Sequence, residues 1–453
     1  MASFVLIGLL VQQRVGWGDP AFVAIEATVV LILSIWSTCR LSVNGFWAPA
    51  PLFLLVLGVF HFGLVPYWAL RLNPVLPRSS DYTWFHGGFA VWLLLLCSIA
   101  AASYALGSAL VATRRVANLE NAPGFLEPDR EWAMAERISD AGAALLIIGL
   151  SWWTVASVHA GGWEVLVGPY RNFLDLTQGT GLSDAYYLIG PGLGLALIAP
   201  LRGFRIAAVA LFALFAGVAF FLGLRGEVLF PVVVAVSVLA FRRPLPRTRV
   251  VLACGVVLLT LISAAKIVRQ SGVASSTPDW MNASPLAALA ELGQSIRVVA
   301  VSVMWHSNDG DPFRLGDTYT AFIARTFELV TNPDSRPRAT ADFRLMNAEV
   351  SEKAGAIGGS VIAEAYHNFA VIGVVIVLLL LGMLFGYFST MRPTAWRIAI
   401  FVCLAVPLLN HVRNSFIPVL PASLIGLGSV AIAALIARAT EGRVLVKHDR
   451  GAQ

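Results

Sequence analysis

This sequence is short of charge. Asp, Glu, Lys and Arg together make up 13% of its 453 residues, where a soluble domain carries about 25%, and the mean hydropathy is +0.76. That shortage excludes a string of ordinary soluble domains. Cysteine is scarce too: Cys39, Cys97, Cys254 and Cys403 all fall in apolar runs, which leaves no CxxC metal site and no disulfide framework and reads as core packing. There is no HExxH, P-loop or nucleophile-elbow pattern, which argues against a zinc protease and an ATP-driven pump.

What is present instead is long apolar stretches. Ala21 to Cys39, Ala48 to Leu70 and His86 to Ala112 can each cross roughly 30 Å of hydrocarbon as helix. They lack the alternation of barrel strands, so the predicted fold class is an all-α polytopic membrane protein. Spans are expected near 21–39, 48–70, 86–112, 139–160, 184–200, 206–223, 228–241, 250–268, 358–388, 397–412 and 415–438. That makes eleven, with 2–13 either a short twelfth or an interfacial segment. By domain, 1–268 is an N-terminal transmembrane bundle with a charged connector near 113–138, and 269–357 is a long loop. Residues 358–438 supply three closing spans, and 439–453 a tail.

Orientation follows from arginines in short loops. Arg40, Arg114, Arg115, Arg202, Arg205, the run RRPLPRTR from Arg242 to Arg249, Arg392 and Arg397 fall on one side. That side reads as cytoplasmic, together with the tail. The net charge of +6 is then a topological signal, and no nucleic-acid partner is read from it. The long loop lies on the outer side and exceeds a simple connection. Within it, SPLAALAELGQSIRVVAVSVMWH and DTYTAFIARTFELV read as helices capped by Ser284 and Asp317, lying against the membrane mouth like a lid. A smaller outer segment, 161–181, reads as re-entrant or interfacial.

Two polar constellations interrupt the apolar pattern. In GLRGEVLFPV, Arg225 and Glu227 stand at a tight outer turn between two spans, and a charge near the bilayer centre costs roughly 2.5–3.5 kcal/mol on insertion scales. Lys266, Arg269 and Arg413 end other spans on the same side, the last just after Asn410 and His411, and Arg297 and Arg325 sit in apolar loop helices. Cations gathered at one mouth suggest an anionic ligand, and guanidinium holds phosphate bidentately. The plain alternative is an interfacial Arg225–Glu227 ion pair. The second constellation opens the span at Gly358: Glu364, His367 and Asn368 share a helix face, beside the belt residue Tyr366. A carboxylate and an imidazole there can bind sugar hydroxyls or take a proton; a polar helix start is the bland reading. Glu26 and His61 read as bonds between helices, and His306, Asp309 and Asp311 as a capped turn, with no metal site and no cofactor implied.

At these residues the chain resembles the bacterial oligosaccharide repeat-unit polymerases, the Wzy-type O-antigen and exopolysaccharide polymerases, and the related O-antigen ligases. The resemblance rests on the number of spans, the long loop before the last three, an RGxxL-like turn (Arg225, Gly226, Glu227, Val228, Leu229), and a loop exit of the form GGS...E.Y.NFG..G. That exit is carried by Gly358, Gly359, Ser360, Glu364, Tyr366, Asn368, Phe369 and Gly373, with Ala370 where the pattern has glycine. The resemblance implies transfer of a glycan from an undecaprenyl-pyrophosphate-linked donor to the non-reducing end of a lipid-linked acceptor, at the outer face of the cytoplasmic membrane, without metal. It implies that Arg225 and Arg413, with Arg269 or Arg325, hold the pyrophosphate, with Arg297 the other loop arginine considered. Tyr366, Asn368 and His411 then line the substrate site, and Glu364, Glu227 or His367 serves the acceptor. Implied partners are membrane lipids, a chain-length regulator and a lipid-linked-sugar flippase. A ligase acting on another acceptor is the near alternative. A transporter is the distant one, favoured by the Pro- and Gly-interrupted spans YYLIGPGLGLAL and CLAVPLLNHVRN.

Overall fold

The structure, a computed structural model, describes residues 19–72, 83–119, 128–166, 182–243, 284–332, 337–355 and 357–450, with isolated positions between 173 and 263. Side chains at 114–119, 128–130 and beyond Leu435 are outside that description. Residues 2–13, most of 161–181 and of 250–268, and Lys266, Arg269 and Cys254 lie outside the described residues. Regular structure among the described residues is helical throughout.

α1 (Pro20–Leu41) starts on Asp19, whose carboxylate accepts from the Ala21 N–H, with proline in the first turn. The expected 48–70 span is broken into α2 (Pro49–His61) and the short α3 (Val65–Ala69). α4 (Gly87–Leu119) and α5 (Pro128–Gly161) outrun their apolar stretches, so the described parts of the charged connector extend two membrane helices. α6 (Leu182–Ala196), α7 (Phe204–Leu222) and α8 (Gly226–Arg242) follow. The long loop carries α9 (Pro285–Leu292), α10 (Ser295–Ser307), α11 (Asp317–Thr331) and α12 (Met346–Ala354). α13 (Val361–Thr390), α14 (Ala395–Asn410) and α15 (Val419–Arg450) close the chain.

Six helical stretches among the described residues are long and apolar enough to cross a membrane: those in α1, α4, α5, α7 and α13, and the α9–α10 pair taken together (Pro285–Ser307). Expected spans that fall short are interrupted ones: α6, α8 and α14 contain Pro191, Pro231 and Pro407 and run for 15, 17 and 16 residues, below the ~20 a full crossing needs.

Tight packing fixes the bundle. α13 lies along α4 so closely that a Cβ added at Gly107 would stand 2.0 Å from the Leu379 carbonyl oxygen, and one at Gly382 2.0 Å from that of Tyr104. Small residues at such crossings let helix backbones touch, which is how association proceeds where lipid is as apolar as the side chains. Phe53 of α2 stacks on Tyr104 beside them, centroids 4.7 Å apart. The outward face of α13 shows Ile372, Ile376 and Leu380 at 68%, 51% and 56% exposure, one apolar stripe at helical spacing.

Contacts gather the described breaks at two ends: at one, the Val43 N–H donates to the Ser389 carbonyl at 3.2 Å and the Ala395 N–H to Glu131 at 3.1 Å. One end carries Arg40, Arg202, Arg205, Arg242, Arg243, Arg392 and Arg397. There Arg242 donates to the Leu197 and Ala199 carbonyls at 2.8 and 2.9 Å, closing the end of α6, and Arg205 pairs with Asp140 at 2.6 Å. The other end carries the long loop, the α7–α8 turn and the α14–α15 turn.

The loop is not a loose lid. Ser284 caps α9, its hydroxyl accepting from the Ala287 N–H at 3.1 Å, and Ile296, Val298, Val299 and Ala300 of α10 are fully buried against α13 and α2. The apolar sequence that suggested a surface helix instead buries α10 as deeply as a span. α11 begins at Asp317, but its cap is Gly316 at φ +100°, which makes no side-chain bond; Asp317 is the first helical residue, not the cap.

Candidate functional site

Two turns meet at the loop-bearing end. Gly223, at φ +83°, ends α7, and Arg225 caps α8, leaving Glu227 in its first turn, where the helix dipole favours a carboxylate. Opposite, α14 ends at Asn410 and the 411–418 turn leads to α15.

The loop exit GGS grips that second turn. The Gly359 N–H donates to the Arg413 carbonyl at 2.8 Å, and a Cβ at Gly359 would stand 2.6 Å from the Asn414 carbonyl carbon; only glycine allows the two backbones this close. Ser360 caps α13 through the Ala363 N–H and meets the buried His61 at 2.7 Å. Glu364, fully buried, accepts from the Phe416 N–H at 2.8 Å and pairs with His411 Nε2 at 3.0 Å through the same oxygen. Its other oxygen is buried with no partner. Both bonds fasten the turn that carries Arg413.

Glu364, His367 and Asn368 therefore do not present one common face to a ligand: all three are fully buried and each goes to a different neighbour. His367 lies 3.1 Å from Glu349 and 2.9 Å from His306, whose Nδ1 donates to the Asp311 carbonyl at 2.7 Å. Arg314 and Lys353 complete this cluster, each donating to Glu349 at 2.9 and 2.8 Å. Burial alone would raise the Glu349 carboxyl, but hydrogen bonds from His367, Lys353 and Arg314 hold it down at about 2. Asn368 accepts from the Gly316 N–H at 2.8 Å and donates to Thr318 at 2.7 Å.

α13 breaks immediately afterwards. Phe369 and Ala370 leave helical geometry, Ala370 at φ +54°, ψ −149°, a region that disfavours any side chain. The Arg314 and Leu315 N–H groups take up the His367 and Asn368 carbonyls at 3.0 and 3.1 Å, satisfying groups the break frees.

The predicted cations separate. Arg225, 5% exposed, pairs at 3.0 Å with Glu291 of α9, not with Glu227. Arg325 is consumed inside the loop by Asp342, in a network with Arg344 and Glu328, and is a structural residue there. Arg297 donates to the Ala354 carbonyl at 3.4 Å. Arg413 lies half-buried over the Phe60 ring, 5.7 Å from its centroid, within electrostatic reach of Glu227, and makes no direct ion pair among the described residues. Tyr366 packs its ring by His306 and Phe313.

A cavity of about 260 Å³ opens between α6, α8, α14 and the 411–418 turn. Its polar lining is Glu227, Asn347, Asn410, Asn414, Tyr186 and Tyr187. Among the predicted site residues only Glu227 lines it. The amides and phenols were missed because an isolated Asn or Tyr carries no spacing signal, although Asn410 and Asn414 are the first and last residues of NHVRN in the singled-out CLAVPLLNHVRN. Arg314, Glu349 and Lys353 were missed for the same reason. Asp309-Gly310-Asp311 has the DxD spacing of metal-assisted transferases, yet Lys353 holds the Asp311 carboxylate; no group of three or more His, Cys, Asp or Glu among the described residues is arranged to hold a metal ion.

Residues 202–440, just over half the sequence and including both turns, match the family described as O-antigen polysaccharide polymerase Wzy. The chain belongs to that family. Protein CapE of Staphylococcus aureus is 26% identical over 201 residues, a stretch making up 44% of this chain and 44% of that protein. The chain thus spans under half the length of this relative. No solved structure matches it.

Proposed function

We propose that the protein polymerises lipid-linked oligosaccharide repeat units at the outer face of the cytoplasmic membrane, its arginine-rich end and C-terminus facing the cytoplasm. The donor is an undecaprenyl-pyrophosphate-linked glycan, and the acceptor is the non-reducing end of another lipid-linked unit. The observation that carries this reading is the meeting of Glu227, open to the cavity, with Arg413 within its electrostatic reach, both inside the family-matched stretch.

The chemistry follows from these two groups. As an acceptor hydroxyl oxygen bonds to the donor's anomeric carbon, Glu227 takes its proton. The bond from that carbon to the pyrophosphate oxygen breaks, and its electron pair leaves with the lipid pyrophosphate. Negative charge grows on this leaving group, and fixed guanidinium at Arg413, with Arg225 at the same end, stabilises it without a metal ion. The geometry favours Glu227 over Glu364 as the base, because both bonds of Glu364 go to the 411–418 turn. Glu364 and His411 are then positioning residues for Arg413.

Proteoliposomes holding purified protein and lipid-linked repeat units test the reading. A ladder of lengthened glycans that collapses in Arg413→Ala and Arg225→Ala is expected. Passage of labelled lipid-linked units across the bilayer with no lengthening would replace the polymerase with a transporter.

A further inference from the structure

The cavity beside Glu227 has a chemistry of its own. Three carboxamides, Asn347, Asn410 and Asn414, and two phenols, Tyr186 and Tyr187, face it with the Glu227 carboxylate, and no Lys or Arg is among its lining residues. Carboxamides both donate and accept, as hydroxyls do. Asn414 donates to Asn410 at 2.6 Å, which fixes both amides and leaves their remaining donors and acceptor unused by that bond. The Asn347 oxygen is buried with no partner.

Two helices around the cavity each place a proline in its lining. Pro191 and Pro231 have no N–H, so the Tyr187 and Glu227 carbonyls lose their helical donors. Carbonyls freed in this way at membrane depth are taken up by neighbouring protein groups or by what fills an adjoining cavity. The cavity is thus rich in acceptors, has one carboxyl group and no cation in its lining, and has flat apolar surfaces from the tyrosines and prolines.

Resting on the polymerase reading, we infer that this cavity receives the acceptor's terminal sugar and that it selects a neutral ring. Hydroxyl donors match the amide and carbonyl acceptors, while the ring's C–H face lies on the apolar lining. A carboxylated sugar would have to bring a second carboxyl beside Glu227 into a confined site with no cation in its lining, and is rejected. The pyrophosphate belongs on the Arg413 side of Glu227, outside the cavity.

The test uses the full chain in nanodiscs, with saturation-transfer difference NMR of methyl glucoside and methyl glucuronide, which differ in the carboxylate. The wild type is expected to bind the glucoside at least tenfold more tightly than the glucuronide. Glu227→Gln should remove that preference by admitting the glucuronide, and Asn347→Leu and Asn410→Leu should each abolish the glucoside signal. Equal binding of both glycosides by the wild type overturns the inference, as does a glucoside signal unchanged in both asparagine variants. Polymerisation assayed in parallel separates the two readings. Polymer formed with glycoside binding indifferent to these changes sinks the cavity assignment alone, whereas selective binding without polymer sinks the polymerase reading alone.

Discussion

Two carboxylates at the same end of the bundle, Glu227 and Glu364, stand in the first turns of their helices, yet the fold uses them differently. Glu364 is fully buried, engaged by an imidazole and a backbone N–H from one turn. Glu227 is half-buried and borders the cavity. The comparison teaches that one charged residue in a recognisable motif can fasten a neighbouring turn, while another, in an equally recognisable turn, borders an open cavity. What separates them is the route of each side chain, which one helix face cannot reveal.

The strongest way to break this contrast is to neutralise each carboxylate without changing its shape. Glu227→Gln should lower polymer formation by about 100- to 10,000-fold with no loss of thermal stability. Arg413→Ala comes next, with a fall of about 100-fold or more in the same assay, partly recovered by Arg413→Lys. Glu364→Ala should instead act through the fold. It strands the buried His411 and the Phe416 N–H, costs about 1–3 kcal/mol, and lowers the melting temperature along with activity.

The Glu349 cluster sharpens the comparison through pH. Its carboxyl sits near 2, below the ordinary 4.5, so the folded state binds its proton less readily than the unfolded one. The stability it gives is therefore complete above about pH 4.5 and is lost as pH falls from there towards 2. Glu349→Gln should flatten that acid limb in melts recorded across the range. The smallest effect is expected at Ala370→Gly, which relieves the positive-φ alanine and should stabilise by about 1 kcal/mol.

Much of the fold was legible in the sequence because hydropathy over a full span is strong and additive: α1, α4, α7 and α13 emerge close to their expected positions. Elsewhere local pattern misled. α10 is apolar enough for a surface lid, yet only the packing of Val298 and Val299 against other helices reveals it as core. The candidate site was legible only as a convergence of segments: the Arg225 turn, the GGS exit and the Arg413 turn lie at one end of the bundle. The pairings were not. That Arg225 meets Glu291 and Arg325 meets Asp342 depends on how the loop folds back, and no spacing within either helix encodes it. Ala370 is the reverse case, an alanine in place of the glycine that the resemblance led one to expect, on a backbone at positive φ.

The most direct test of the central claim is turnover of purified Glu227→Gln and Glu364→Gln with lipid-linked repeat units, each normalised to folded protein. The account predicts that Glu227→Gln melts like the wild type and makes almost no polymer, while Glu364→Gln melts earlier and keeps measurable turnover per folded molecule. Wild-type turnover from a well-folded Glu227→Gln, with a silent but stable Glu364→Gln, would contradict it.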